Sequence, residues 1–119
     1  MNQLLTTASA DDIWDHEGDS LPPSLYLGTS TWAFPGWKGL VYKQSYKSQK
    51  EFTAKSLGEY ASIPWFRTVC IDSFFYNPPK RETLLAYAAL VKPSFQWVSK
   101  VWERITIAHY PKHPRYGAL

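Results

Sequence analysis

Cysteine is nearly absent: Cys70 stands alone in 119 residues. That excludes an internal disulfide and makes a reducing compartment the expectation. Long apolar runs are missing, and the first residues carry no basic segment. Neither a membrane span nor a signal peptide is therefore read, and a cytoplasmic protein is expected. Lys and Arg are absent from the first nineteen residues, while Asp11, Asp12, Asp15, Glu17 and Asp19 supply five of the ten acids there. Residues 1–24 thus read as a polar, acidic leader ending in Pro22-Pro23, expected to be disordered, with Ile13 and Trp14 as its apolar pair able to dock. Metal-ligand spacing is also missing. His109 and His113 are an i, i+4 pair, but Pro111 between them argues against a shared helix, and no third ligand follows at a suitable distance. No pair of carboxylates has the look of a glycoside-hydrolysis site.

What is present is a globular composition, 45% hydrophobic, with aromatics at 17% including six Trp. Rings on this scale need a core or a binding surface to cover them. Beyond the leader, thirteen bases face five acids, a net of +8. Such a surplus suits an anionic ligand or nucleic acid. The bases are spread singly, however, and no run of them forms an arm, so solvated Lys and Arg are the simpler reading and nucleic acid the weaker one.

Leu25-Tyr26-Leu27-Gly28-Thr29-Ser30 reads as a short buried strand running into small residues. A loop of rings and glycines follows, from Trp32 through Phe34, Pro35-Gly36, Trp37 and Gly39 to Tyr42. From about Ser48 the pattern is helical, with Leu57, Tyr60 and Ala61 on one face, and Pro64 ends it. Thr68 to Asp72 is rich in β-branched residues and forms a second strand. Asn77-Pro78-Pro79 opens a helix, with Glu82 in its first turn where the macrodipole favours an acid. Leu84, Leu85, Tyr87, Ala88 and Val91 would form its buried stripe, and Lys92-Pro93 stops it. Phe95 to Val101 is the third strand; the tail from Ile105 has no clear period. Strands alternating with helices imply an α/β fold with a parallel sheet. Three such strands leave two open edges, through which self-association is possible.

At the first loop the residues become recognisable. Gly28-Thr29-Ser30-Thr31-Trp32, then Gly36-Trp37-Lys38-Gly39 and Tyr42, resemble the opening signature of the domain of unknown function 72, or YecE-like, family. Leu57, Tyr60-Ala61, Phe66, Val69 through Tyr76, Pro93, Phe95, Lys100 and Ile105-Thr106 continue the match in order. The resemblance implies the N-terminal part of a TIM-type (β/α)8 barrel, about three βα units, over residues 25–119, truncated at the C-terminus. A complete barrel takes roughly 250 residues. The resemblance implies little about activity and names no cofactor. The chain departs from the pattern at Thr31, where Gly is usual, at Cys70-Ile71-Asp72, where Glu-Ile-Asn is typical, and at Ile107, where His often stands. An acid–amide constellation at the second strand is therefore not carried over.

In a (β/α)8 barrel the site lies at the C-terminal ends of the strands. Three groups meet that description: Thr29, Ser30 and Trp32; Asp72, Ser73 and Tyr76; and Lys100. Lys100 offers a phosphate or carboxylate anchor, or a base or Schiff-base nucleophile if desolvated, against an ion pair with Asp72 that only holds strands in register. Asp72 offers general acid–base work or a hydrogen bond to a sugar hydroxyl, against the same structural partnership. Trp32, Phe34 and Trp37, joined by Tyr76, form either a stacking platform or the plug of the barrel end. Cys70 reads as an inert buried thiol. The expectation is a barrel enzyme, reaction unknown, that binds a small polar, anionic or sugar-like molecule between these groups. The alternatives are a fragment with no autonomous function and a nucleic-acid-binding module.

Overall fold

The computed structural model describes residues 21–109. The acidic leader as far as residue 20, and Pro111 and His113 in the tail, lie outside the described residues. The rest is a mixed α/β unit. In chain order it has a single 3-10 turn at Pro35–Trp37, then α1 (Gln49–Ala61), β1 (Thr68–Cys70), α2 (Ser73–Tyr76), α3 (Arg81–Ala88), β2 (Gln96–Val98) and α4 (Glu103–Thr106).

Helix α1 starts where its local chemistry directs. Ser48 is the N-cap, its side chain accepting from the Glu51 amide at 3.1 Å, while the Glu51 carboxylate takes the Lys47 amide at 2.7 Å. These bonds satisfy amides that the first turn would otherwise orphan. Glu51 also pairs with Lys55 one turn on, at 2.7 Å. The helix ends at Ala61, before Pro64. Its inward face carries Phe52, Leu57 and Tyr60 into a core with Trp32, Val41, Tyr42, Val69, Ile71 and Phe95. Aromatic edges meet faces throughout it: Tyr42 against Phe52 at 4.9 Å and Trp32 against Tyr87 at 4.9 Å.

Strands β1 and β2 pair in parallel, Thr68 opposite Gln96, Val69 opposite Trp97 and Cys70 opposite Val98. The bonding continues beyond the strand limits, with Gln96 N–H donating to Arg67 O at 3.0 Å and Ile71 N–H to Val98 O at 2.8 Å. The strand expected over 25–30 is reduced to one bridge, Leu27 to Phe66. Its carbonyls still serve β1: Leu27 O accepts from the Arg67 amide at 3.0 Å and Thr29 O from the Cys70 amide at 2.9 Å. The reason for the irregularity is Gly28. A Cβ there would lie 2.1 Å from the Thr68 carbonyl oxygen, so the two backbones meet closer than an ordinary pair of strands allows.

Three further expectations are corrected. The strand read over 68–72 stops at Cys70, because the chain turns at Asp72 into α2, a short helix at Ser73–Tyr76 where no helix was read. The strand read over 95–101 is only Gln96–Val98. The stripe on α3 is not buried as a unit: Tyr87 and Val91 pack on the core, but Leu84 is 45% and Leu85 54% exposed. A helix of eight residues turns one narrow face inward, and among the described residues nothing covers the other leucines.

The seam between the Leu27–Thr29 segment and β1 is held by a helix side chain. The buried hydroxyl of Tyr60 accepts from the Thr29 amide at 3.0 Å and donates to the Thr68 carbonyl at 3.1 Å. Thr29 Oγ1 lies 3.0 Å away as well. Burial pushes the Tyr60 phenol above its ordinary value, so it stays protonated and keeps its donor. Tyr60→Phe is expected to lower unfolding stability by about 1–3 kcal/mol, the cost of leaving such groups unpaired. Urea denaturation followed by circular dichroism measures this, and a change within experimental error would refute the role assigned to the hydroxyl.

Candidate functional site

Both strands run the same way, so their C-terminal ends bring residues 70–76 beside residues 98–102. That end brings Asp72, Lys100 and Cys70 together. Asp72 follows β1 and precedes α2; Lys100 lies two residues beyond β2. Their side chains form an ion pair, Lys100 Nζ to Asp72 Oδ1, at 3.1 Å, each about half exposed. The ammonium also sits over the Phe75 ring, 5.7 Å from its centroid. Cys70 completes the cluster, its Sγ donating to Asp72 Oδ1 at 3.6 Å.

The electrostatics of the trio are consistent. The hydrogen bond from Lys100 holds the Asp72 carboxyl below the usual carboxylate range, with the charge of Lys100 and the Cys70 thiol acting in the same direction. Asp72 is therefore ionised at neutral pH, an acceptor rather than a proton donor. Its pKa being depressed, whatever stability the pair contributes is present above about pH 4, the ordinary carboxylate range, and is lost as pH falls through the folded-state value. Burial pushes the Cys70 thiol up, and the hydrogen bond to Asp72 and its negative charge push further, against a smaller opposing effect of Lys100. Cys70 is half-buried and protonated at neutral pH, which disfavours a nucleophilic role.

Next to this cluster a hollow of about 500 Å³ opens between β2, α3 and the segment leading into α3. Lys100 and Ser99 stand among apolar walls that include Phe74, Leu84, Tyr87, Trp97 and Trp102. Trp102 is fixed by its indole N–H, which donates to the Tyr76 carbonyl at 3.1 Å. The hollow was not read from the sequence. Alternation along Phe95-Gln96-Trp97-Val98-Ser99 puts Trp97 and Ser99 on one face, a usable signal. Trp102, between the strand read to Val101 and the tail from Ile105, carries none.

The remaining sequence-derived residues divide. Tyr76 joins the cluster through its ring edge against Phe75, 5.1 Å between centroids, and through its carbonyl on Trp102. Ser73, exposed, begins α2 directly after Asp72. Thr29 is engaged with Tyr60 and, through Oγ1, with the Thr31 carbonyl at 2.7 Å. Ser30 is exposed. Trp32 is 3% exposed, its indole N–H donating to the Thr53 carbonyl at 3.2 Å, and Tyr42 donates its hydroxyl to the Trp32 carbonyl. Trp37, half-buried, stacks on Tyr42 and meets the edge of Phe34. The loop aromatics thus pack on the core beside α1. Among the described residues no group of three or more His, Cys, Asp or Glu side chains could hold a metal ion. No helix among them is long and apolar enough to cross a membrane.

Cys70 is the one cysteine, so its alkylation reports directly on the cluster. Labelling by iodoacetamide should show a midpoint above the ordinary thiol value, and Asp72→Asn should move it down by removing both acceptor and charge. An unchanged midpoint in the variant would show that Asp72 does not govern the thiol.

The comparisons with known proteins add one match. The model of the family described as "Protein of unknown function DUF72" matches residues 26–116, which takes in β1, β2 and the whole Cys70, Asp72 and Lys100 cluster. No curated protein and no solved structure matches the chain. The match spans well over half of the sequence and agrees with the blocks from Gly28 to Thr106, so the chain belongs to the DUF72 family.

Proposed function

We propose that this chain forms the N-terminal part of a TIM-type (β/α)8 barrel. On that reading a small-molecule site lies at the C-terminal ends of its strands, with Lys100 and Asp72 as the polar centre. The observation that carries it is the convergence of one cation, one ionised carboxylate and an open hollow of about 500 Å³ at that end of a parallel pair. A volume of this size lies within the roughly 300–1,000 Å³ of small-molecule pockets. The barrel reading is supported by three backbone segments paired in parallel, the Leu27–Thr29 stretch, β1 and β2, with α3 between the last two. Lys100 anchors an anionic group, and Asp72 both orients the ammonium and accepts from a ligand hydroxyl or amide. Ser73 and Tyr76 border the same end and extend the polar rim; Thr29 and Ser30 flank it from the first segment. Trp32 and Trp37 support that segment from the core side. Held ionised, Asp72 serves as an acceptor or a general base, not as a proton donor.

A fragment screen by two-dimensional NMR tests the site. Hits should cluster on the signals of Trp97, Trp102 and Lys100 and weaken about tenfold or more in Lys100→Ala, the scale of one lost charge-assisted hydrogen bond. Hits scattered elsewhere, or insensitive to Lys100→Ala and Asp72→Ala alike, would remove the proposal.

A second reading rests on a separate observation. Among the described residues β2 has a strand neighbour on one side only, and Trp97, Val98 and Val101 beside that edge are 38%, 54% and 56% exposed. An apolar strand edge of this kind is a template for a second copy. Size-exclusion chromatography should then show a dimer that grows with concentration and is lost in Val98→Lys. A concentration-independent monomer excludes it.

A further inference from the structure

We infer that the ligand of the hollow is an apolar monoanion, an aromatic or branched aliphatic body of one or two rings carrying a single carboxylate, and not a sugar. The inference rests on the small-molecule site proposed above and specifies its substrate class.

The polar inventory of the hollow decides the class. Ser99 donates its hydroxyl to the Lys100 carbonyl at 3.1 Å, and the Trp102 indole N–H is taken by the Tyr76 carbonyl at 3.1 Å. Burial raises the Tyr87 phenol, which therefore stays neutral. The walls otherwise offer Ile71, Phe74, Leu84 and Ala88, which satisfy no hydroxyl group, so the neutral Tyr87 phenol and the Trp97 indole N–H stand against the several hydroxyls of a sugar. A sugar carries several hydroxyls, and each one buried without a partner is costly. An apolar body meets no such penalty, and the aromatic walls favour a flat one. Leu84 and Trp97 are 45% and 38% exposed at this face, so a ligand lying there removes apolar surface from water.

Charge sets the rest. Among the described residues, Lys100 is the one cationic side chain lining the hollow. An ammonium has three donors, and Asp72 engages it at 3.1 Å on an exposed flank, a contact that contributes little and leaves directions open. A single carboxylate at the mouth shares the ammonium with Asp72. A phosphate dianion would instead place two charges against the Asp72 carboxylate, which is held ionised by its partner.

The test uses the whole chain and four probes: 1-naphthoate, its neutral analogue 1-naphthamide, glucose and inorganic phosphate. Binding is read from the indole N–H signals of Trp97 and Trp102 by NMR. Naphthoate is expected to bind at least tenfold more tightly than naphthamide, with glucose and phosphate weaker than both. Lys100→Ala should abolish the preference for naphthoate while leaving naphthamide binding unchanged. Ala88→Phe, which narrows the hollow, should weaken both naphthalene probes equally. Equal affinity for naphthoate and naphthamide in the unaltered protein overturns the inference. Tighter binding of glucose or phosphate at Lys100 overturns it too, while leaving the site itself in place. No perturbation by any of the four probes removes the site and the inference together.

Discussion

A parallel sheet cannot be closed by tight turns, so each neighbouring pair of strands has to be held by something other than its own connection. In this chain the holding is done from α1. Tyr60 reaches from the helix to the seam beside β1 and bonds to backbone groups on both sides of it. That contact reinforces the backbone bonds by which the Leu27–Thr29 segment pairs beside β1. Gly28 makes it possible by letting the two backbones approach where a side chain would collide with Thr68. The helix, the glycine and the strand act as one unit.

The same unit explains why the aromatic loop is ordered on the core side. Trp32 reaches back to α1 through the Thr53 carbonyl and meets Tyr87 of α3 edge-on. Tyr42 lies between Trp37 and Phe52, its phenol driven well above the ordinary value by burial. Glu59 then draws the loop onto the outer end of the helix, accepting from the amides of Lys43 and Gln44 at 2.6 and 3.1 Å and from the Tyr46 hydroxyl at 2.9 Å. Burial, with Glu59 adding to it, pushes the Tyr46 phenol up to about 12. Bonds of this kind tie a long, ring-rich loop to a helix without any sheet to support it.

Around Asp72 and Lys100 the balance is reversed. Asp72 and Lys100 are exposed, and the hollow beside them has apolar walls that remain in contact with water. Apolar surface in that state has a free-energy gradient toward being covered. The ion pair at the rim supplies orientation and sign, and the hollow supplies the driving force. In the proposed site, such a division would select for the body of a ligand by area and for its head by charge.

The sequence alone determined the order of α1, β1, α3 and β2, because β-branched runs, a helical stripe and the proline stops are local signals. Ser48 and Glu51 mark the start of α1, Glu82 the first turn of α3, and Thr68 with Val69 the strand between them. It also placed Asp72 and Lys100 at neighbouring strand ends, where they meet as an ion pair, since residues at the ends of parallel strands converge. Tertiary structure alone decided the rest. Gly28 reduces the first strand to one bridge because of where Thr68 stands, not because of any neighbour in sequence. Leu84 and Leu85 carry a core-like pattern yet stay exposed, because burial depends on what packs against α3. Trp32 points into the core and Trp102 lines the hollow, although neither stands within a helix or strand. Composition cannot tell them apart; only the surface that each ring meets does.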